Sequence, residues 1–456
     1  MKKIFLTLSL LAIFTMNAQV LGYSDFGVLL TNENNQGTAR SMALKGAFGS
    51  LGGDLNAISI NPAGAAVFNN SSASFTLAYD RLDLQTDFYG NRNDNTTDSF
   101  NLSQAGGILL FDDDDFTEGI NRISLSLNYE IVNNFKNNWI ASGISEPTWT
   151  EDPSDNTIHY TNLEDQTYKN FTSGKNAKLN FALAARFNEN LFLGVALNSY
   201  NVEFNEESSR HELANDGNSN SVDALEKFWQ KVTADGFSLG VGFIYRMTQN
   251  FRLGLSYYSP VWYEVYEESN IFAEDDSDYV GYYNVLYSND PPAYENNKDK
   301  ILTYEYNLRT PSKTTASISY VFGKSGLISA DFSRKNYKGI HLNPKPDFTD
   351  ENSNINSFLQ NTYKVQLGTE WRIKSFSVRG GYSYEKTPFI NSIASDNPTG
   401  YALGAGYNFG DFIIDLVYDH TEQTDLYDFY PEFNTINAAN LTKNNDKIMA
   451  TLTIKL

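Results

Sequence analysis

Hydrophobic and polar residues alternate with a period of two along most of the chain. Large apolar residues hold the odd positions of 179–187, 237–247 and 123–131, and small or polar residues hold most of the even ones. The last segment, 448–456, has its apolar residues on even positions, with Met449 as the exception on the other face. A period of two with this contrast predicts β-strands that have one apolar face and one wet face.

Fourteen segments carry this pattern in succession. Their approximate bounds are 73–88, 99–111, 121–133, 175–187, 190–206, 234–248, 250–266, 300–322, 327–338, 360–373, 375–388, 399–409, 411–424 and 445–456. The eighth segment contains Pro311, which has no amide hydrogen to donate to a strand ladder, so a bulge or kink is expected there. No later stretch approaches 18 continuous apolar residues, which argues against a transmembrane helix.

The connections between these segments alternate between short and long. Asn188–Asn190 and Thr248–Asn250 are short, whereas 134–174, 207–233 and 267–299 are long. This alternation is typical of an outer-membrane barrel, which has tight periplasmic turns and long outer loops. We therefore predict an all-β fold: a 14-stranded antiparallel transmembrane β-barrel, with both termini on the periplasmic side.

One long connection has the spacing of a helix. Ser221 is a suitable N-cap, and the apolar residues that follow it recur at intervals of three to four positions. These apolar residues are Val222, Leu225, Phe228, Trp229 and Val232. A helix is therefore expected within 207–233.

The segment before the strands divides into two parts. Residues 1–18 have a basic start, an apolar stretch and small residues before Gln19, which predicts a cleaved signal peptide. Residues 19–72 include the glycine-rich stretch Gly37–Phe68, which lacks strand alternation and ends in a turn signal at Asn61-Pro62-Ala63-Gly64. We interpret 19–72 as a hatch inside the barrel and 73–456 as the barrel itself.

Composition excludes several other functions. The chain has 34 basic and 55 acidic residues and a net charge of −21, the opposite of a nucleic-acid binder. It has no cysteine, and its four histidines are scattered without ligand spacing, so neither a metal nor a cofactor is expected. Gly323-Lys324-Ser325 resembles the end of a phosphate loop, but position 318 is Ile instead of the required Gly. No Ser/His constellation is evident, so we do not expect an enzyme.

Two kinds of segment carry a family resemblance: the hatch sequence GTARSMALKGAFGSLGGDLNAISINPAG and the turn-into-strand segments FNENLFLGVAL, MTQNFRLGLSY and IKSFSVRGGYSY. Through them the chain resembles the FadL-type outer-membrane transporters of long-chain fatty acids and other hydrophobic compounds. The resemblance implies a fourteen-stranded barrel with an N-terminal hatch to which Asn61, Pro62 and Ala63 belong. It also implies passive uptake through a loop groove, a lumen pocket and a moving hatch, and a kinked third strand that leaves a hole in the wall. That strand, about 121–133, contains neither proline nor glycine.

The sites that follow from this interpretation are a hatch motif, a lumen pocket and a loop groove. The motif is Asn61, Pro62, Ala63 and Gly64; the pocket residues are Phe48, Leu51, Val67 and Phe68; the groove residues are Phe228, Trp229, Tyr282, Tyr283 and Leu286. Alternatively, these apolar residues only pack the hatch against the wall or the loops against each other.

The expected location is the outer membrane of a diderm bacterium. The expected partners are a hydrophobic small molecule (a fatty acid by default), outer-membrane lipid and the barrel-assembly machinery. Two other functions stay open: a surface binding or adhesion barrel, and a barrel enzyme that acts on lipids.

Overall fold

A computed structural model describes residues 22–33, 37–112, 119–270, 282–289, 292–296, 301–430 and 435–456. Its α-helices are α1 (Tyr23–Thr31), α2 (Ala39–Ala43), α3 (Leu55–Ile60) and α4 (Thr349–Phe358), and its 3-10 helices are Pro62–Val67, Tyr337–Gly339 and Ala394–Asp396. The strands are β1 (Ser72–Phe88), β2 (Asn91–Asp112), β3 (Ile120–Asn134), β4 (Asn137–Ser142), β5 (Asn162–Phe187), β6 (Leu191–Asn215), β7 (Ser221–Arg246), β8 (Phe251–Tyr258), β9 (Trp262–Ser269), β10 (Tyr282–Tyr287), β11 (Ala293–Asn296), β12 (Leu302–Arg309), β13 (Lys313–Val321), β14 (Gly326–Asn336), β15 (His341–Asn343), β16 (Asn361–Ile373), β17 (Phe376–Glu385), β18 (Thr399–Asn408), β19 (Phe412–Tyr427) and β20 (Ala439–Lys455). The predicted signal peptide, 1–18, lies outside the described residues.

All pairings among these strands are antiparallel, and they close into a barrel. The last strand pairs with the first, from Ser72 opposite Lys455 to Asp87 opposite Asn440. Several strands are collinear pieces of one longer strand that run along the same neighbour. Wall strand 3 is β3 with β4, wall strand 7 is β8 to β10, wall strand 8 is β11 to β13, and wall strand 9 is β14 with β15. The barrel therefore has fourteen wall strands, as predicted.

The wall strands follow the predicted segments in order, but many of them are longer. Residues 89–98, which separate the first two predicted segments, are mostly strand: β1 and β2 meet at a tight turn at Tyr89-Gly90. Strands β6 and β7 pair continuously from Asn215 opposite Ser221 down to Leu191 opposite Tyr245. The barrel wall thus extends well past the predicted segment ends on this side.

The helix expected after Ser221 is wrong. Residues 221–232 belong to β7, where Val222, Phe228 and Val232 are buried on the inner face. The helical spacing of the apolar residues was coincidental: Leu225 and Trp229 lie on the opposite face of the same strand. Pairing with β6 on one side and with β9 and β10 on the other decided the local structure over the side-chain spacing.

The kink expected at Pro311 is confirmed. Strand β12 ends at Arg309 and β13 begins at Lys313. The neighbouring wall strand breaks at the same level, after Pro260, and the amide of Thr310 donates to the carbonyl of Val261 at 3.0 Å. Two adjacent wall strands are therefore interrupted at the same level, and their pairing continues on both sides of the interruption.

The two ends of the barrel differ in their connections, although the predicted long connection 207–233 is wrong because strands leave only 216–220 between β6 and β7. The turns at 188–190, 247–250, 323–325, 374–375 and 409–411 all lie at the end where Ser72 meets Lys455. The longer described connections, including 143–161 and 386–398, lie at the opposite end. We call these the turn end and the loop end.

The outer face of the wall carries an apolar band. Leu183, Val241 and Leu416 are 42%, 50% and 52% exposed although all three are aliphatic. Exposed aromatic residues border the band on both sides: Tyr245, Tyr320, Trp371, Phe376 and Tyr407 toward the turn end, and Tyr79, Tyr382, Tyr401 and Tyr418 toward the loop end. An apolar band between two aromatic girdles is typical of a barrel that spans a membrane. Met449, the exception in the sequence pattern, is fully buried on the inner face.

The lumen is filled by the segment that precedes β1. Residues 37–68 hold α2, α3 and the 3-10 helix, and nearly all of them are buried. Helix α1 also lies inside, where Phe26, Val28 and Leu30 join a cluster of wall and loop residues that includes Phe204 and Tyr306.

Candidate functional site: the hatch and the lumen

The Asn61 side chain joins two parts of the hatch to the wall. Its amide nitrogen donates to the carbonyls of Gly49 at 2.7 Å and Phe243 at 3.0 Å, and its oxygen accepts from the Ala63 amide at 3.1 Å. Asn61 has an extended backbone (φ −145°, ψ 109°), as expected of a residue before proline, and Pro62 begins the 3-10 helix. The motif therefore attaches the hatch to β7.

Gly64, the last residue of the motif, contacts another turn of the hatch. A Cβ on Gly52, which has φ +61°, would lie 2.9 Å from the Gly64 Cα, and the Gly53 amide donates to the Gly64 carbonyl at 3.2 Å. The two glycine-containing turns of the hatch thus lie in backbone contact, which larger residues would prevent.

A row of wall glycines accepts the hatch, and the sequence analysis missed them. A Cβ at Gly242 would lie 2.1 Å from Asn61 Oδ1, and one at Gly194 would lie 2.4 Å from the Ala63 amide nitrogen. Gly254 and Gly368 face the hatch in the same way. The sequence could have shown them, because they are glycines at inward positions of otherwise regular strands. Glycine weakens a strand, so it often marks a place where another backbone approaches closely.

Two hatch cations form buried ion pairs with the wall. Arg40 Nε lies 2.8 Å from Glu370 Oε2, and Lys45 Nζ lies 2.8 Å from Asp419 Oδ2. Glu370 also contacts Arg379 at 2.7 Å and Arg372 at 2.5 Å. A buried carboxylate needs such partners, since an isolated buried charge is costly.

Within the hatch, Asp54 ties the start of α3 to the turn before α2. It accepts hydrogen bonds from the Thr38 hydroxyl at 2.7 Å and the Asn56 amide at 2.9 Å. Burial raises the pKa of Asp54, while the Arg40 guanidinium and these hydrogen bonds oppose the rise. Hydrogen bonds therefore stabilise the hatch internally, in addition to its contacts with the wall.

The residues predicted for the lumen pocket lie in packed clusters. Phe48 and Leu51 pack with Met449 and other wall residues, and Arg40 lies over the Phe48 ring at 5.2 Å. Phe68 and the partly buried Val67 pack in a second cluster with residues such as Phe192. In this closed arrangement they join hatch to wall, and their role as pocket residues stays a prediction.

The predicted loop-groove residues do not share one surface. Phe228 is buried on the inner face of β7, and Tyr283 packs with the buried loop-end cluster around Tyr287. Trp229, Tyr282 and Leu286 lie on the opposite face of the same sheet. A groove formed by all five together is therefore not present, and a capture role stays a prediction for each face separately.

Between the hatch and Glu33 the lumen contains a charged chamber of about 60 Å³. Its floor includes Asn56, Ser59 and Ile60 of the hatch. Its charged lining residues are Glu33, Glu130, Lys178, Lys313, Lys335, Lys364 and Glu385. A space of this size holds a few water molecules, so the chamber is closed to larger solutes in this state.

The charges of the chamber are arranged in pairs. Lys178 pairs with Glu130, Lys313 pairs with Glu33, and Lys364 lies 3.1 Å from Glu385. Lys335 Nζ donates to the Thr31 carbonyl at 3.0 Å. Burial alone would raise the pKa of Glu33, but the ammonium groups of Lys313, Lys335 and Lys178 hold it well below its usual range.

The wall has a seam between wall strands 2 and 3. Backbone pairing of β2 with β3 ends at Gln104 opposite Glu130, and β3 itself stops at Asn134. A bulge between Ile131 and Asn133 displaces β3 relative to β5. The bulge interrupts the strand without proline or glycine in it, and the hole in the wall that the resemblance implies stays a prediction.

Side chains bridge the seam in place of the backbone ladder. Asn134 Nδ2 donates to Ser99 Oγ at 2.8 Å, and Lys136 Nζ donates to the Asp98 carbonyl at 2.9 Å. On the lumen side, the chamber reaches Glu130 and Val132 beside the point where pairing ends. At this seam, side-chain hydrogen bonds take the place of backbone pairing between the chamber and the outside of the wall.

Within the described residues, no group of three or more His, Asp or Glu side chains could hold a metal ion. His420 lies on the outer face with Nδ1 2.8 Å from Asp446 Oδ1, and the Tyr418 hydroxyl shares that carboxylate. Gly323-Lys324-Ser325 forms a turn, and no described helix is long and apolar enough to cross a membrane.

The barrel and its hatch have the fold of solved FadL-type channels. A FadL homologue from Pseudomonas aeruginosa matches with a TM-score of 0.61 at 14% identity, covering 93% of this chain and 99% of that one. The toluene transporter TodX from P. putida matches with a TM-score of 0.53 at 13% identity, covering 91% and 98%. The toluene transporter TbuX from Ralstonia pickettii matches with a TM-score of 0.50 at 14% identity, covering 93% and 99%. No protein-family model and no curated protein matches the sequence.

Proposed function

We propose that the protein is a passive outer-membrane channel for hydrophobic compounds, with long-chain fatty acids as the default cargo. The apolar outer band between aromatic girdles supports a membrane location. Solved structures of the same fold bear the names of a FadL homologue and of toluene transporters.

The observation that carries this proposal is a hatch beside the seam between wall strands 2 and 3. Hydrogen bonds, two ion pairs and close glycine contacts attach the hatch to the wall, and none of these contacts is a strand–strand pairing of the barrel. A shift of the hatch would enlarge the chamber next to the seam. Hydrophobic cargo would then leave through the seam into the hydrocarbon phase, where each buried CH₂ gains about 0.8 kcal/mol.

Reconstituted vesicles test this function. Purified protein is inserted into liposomes, and a long-chain fatty acid or toluene is added outside them. The amount of this compound inside the liposomes is then measured over time for the wild type, for Pro62→Gly and for a deletion of 37–64. The two variants should change the uptake rate while circular dichroism shows an intact barrel. If uptake equals that of protein-free liposomes for every cargo tried, the channel proposal is wrong.

A further inference from the structure

The outer face of wall strands 8 and 9 carries three cations beside the apolar band. Arg309, Arg334 and Lys338 are exposed, whereas their chain neighbours Leu308 and Lys335 are buried on the inner face. Lys338 lies in the 3-10 helix between β14 and β15. We call these three residues the rim cations. They form a local positive group on a chain whose net charge is −21.

The register of the strands places the rim cations near one another. Arg309 lies directly opposite His341 at the start of β15, and Arg334 lies directly opposite Thr314 near the start of β13. Positions 309 and 314 of wall strand 8 are at most about 17 Å apart, at about 3.4 Å per residue. Lys338 lies between Arg334 and His341 on wall strand 9. Side chains as long as those of arginine and lysine can therefore contact one large head group together.

The rim cations have no carboxylate within ion-pair distance among the described residues. Other arginines on the outer face do have one: Arg81 lies 3.1 Å from Asp83, and Arg92 lies 3.8 Å from Asp94. An anion that approaches wall strands 8 and 9 from outside therefore meets three cations whose charge no described carboxylate offsets.

These cations lie at the loop-side border of the apolar band. Phe332, which is 49% exposed, precedes Arg334 on the same face of β14. Trp262, which is 38% exposed, lies directly opposite Arg309, and Glu264 follows it farther toward the loop end. Aromatic rings and cations thus share the border of the band, and the carboxylate lies beyond them. Cationic side chains at such a border attract anionic lipid head groups.

An apolar groove on the same outer face leads to Arg334. It has a volume of about 610 Å³ and extends from β3 across β5 to β8 as far as Thr314, the residue opposite Arg334. Its lining includes the exposed side chains of Leu183, Leu193, Val241, Leu255 and Tyr257. Leu183 is close to the turn at 188–190, whereas Thr314 lies at the far end of β13 from the turn at 323–325. The groove therefore rises through the band toward the rim cations.

We propose that the rim cations and this groove bind a membrane lipid with a phosphorylated head group, at a site on the outer wall that is separate from the lumen. The cations contact the phosphate oxygens, and the groove holds an acyl chain. Arginine suits this role because its planar guanidinium can donate two parallel hydrogen bonds to one phosphate. The site does not depend on which compound the channel carries.

Native mass spectrometry of the detergent-solubilised protein measures this binding. The probe is a lipid A with two phosphates, and the reference is the same lipid A with both phosphates removed. The wild type should bind the probe about tenfold more tightly than the reference, because several cations attract the phosphates. Arg309→Gln with Arg334→Gln should lose this difference. Arg81→Gln with Arg92→Gln removes the same charge elsewhere on the outer face and should bind like the wild type.

A second pair of variants tests the groove. Ala185→Trp places an indole within the groove lining, so the affinity for the phosphorylated probe should fall. Ala405→Trp, on the outer face of β18 and outside the groove lining, is the matched control and should have no effect. Inorganic phosphate in large excess should not displace the probe, because it has no acyl chain. Circular dichroism checks that each variant forms the barrel.

Four results would overturn this inference. The first is an equal probe affinity of the two double-arginine variants, and the second is equal binding of probe and reference by the wild type. The third is an equal probe affinity of Ala185→Trp and Ala405→Trp. The fourth is displacement of the probe by inorganic phosphate, which would indicate a phosphate site without lipid specificity. None of these results changes the uptake measured in liposomes, so the channel function is tested separately.

Discussion

Gly242 on β7 lies directly behind Asn61 of the hatch, so close that a Cβ at position 242 would sit 2.1 Å from the Asn61 side-chain oxygen. The same asparagine donates to the carbonyl of Phe243, the next residue along the strand. The hatch motif and this stretch of wall are therefore complementary surfaces, and neither can change size alone.

Gly242→Ala should loosen the hatch. The added methyl group must displace Asn61 or Pro62, and overpacking of this kind costs about 1–3 kcal/mol. Hydrogen exchange in residues 37–68 should increase, while the barrel amides stay protected. Gly380→Ala is the control, since its Cβ would have no neighbour nearer than 3.8 Å. Equal exchange in the two variants would show that the close contact has no energetic weight.

Val241→Arg should destabilise the barrel in membranes. Val241 is half-exposed within the apolar band, and a cation near the bilayer midplane costs about 2–4 kcal/mol. Urea titration of refolding into liposomes measures the difference. Thr233→Arg on the same face of β7, nearer the loop end, should change little. A similar small effect at both positions would mean that this face does not contact hydrocarbon.

Glu370→Gln should affect the hatch more than Arg40→Met does. Glu370 is the shared partner of Arg40, Arg379 and Arg372, and Arg379 also pairs with Asp415. Neutralising Glu370 leaves Arg40 without this carboxylate and Arg379 with Asp415 alone, and breaking a buried ion pair costs at most about 3–5 kcal/mol. Removing Arg40 leaves Glu370 with two arginines. Thermal unfolding of both variants, with hydrogen exchange in 37–44, checks the order. The reverse order would show that Arg40 acts through contacts other than this carboxylate.

A disulfide across the seam should block release if cargo leaves there. The chain has no cysteine, so Ser99→Cys with Asn134→Cys introduces a single pair at a position where the native side chains are 2.8 Å apart. Uptake into liposomes should fall on oxidation and recover with a reductant. Leu109→Cys with Leu125→Cys, directly opposite each other in the paired part of β2 and β3, is the control. Unchanged uptake in the oxidised seam variant would direct the exit through the turn end instead.

The fold was predictable because each strand faces the membrane on one side and the barrel interior on the other, and this difference produces the alternating pattern. Leu183 and Val241 face one side and their polar neighbours the other, so each segment could be recognised alone. Met449 broke the pattern for a reason that the sequence does not contain: it faces the hatch, and an inner position opposite the hatch can be apolar.

The site was less predictable because it depends on contacts between distant segments. Strand β7 beyond the membrane is buried on its inner face by loops, so the outward–inward contrast weakens there and Val222 to Val232 resembled a helix. The wall glycines and the pairing of Glu33 with Lys313 could be identified only with the barrel closed around the N-terminal segment. Pro62 was found because its effect is local.

The attachment of the hatch to the final strand sets an order of assembly. The Ala39 amide donates to the Thr451 hydroxyl at 2.7 Å, across 412 positions of the chain. The first part to be synthesised therefore acquires one of its anchors from the last. Contacts of such separation form late, after the ends of the chain have met. The interior should thus be the final region to become ordered, and a barrel halted before closure should leave residues 37–68 open to proteases.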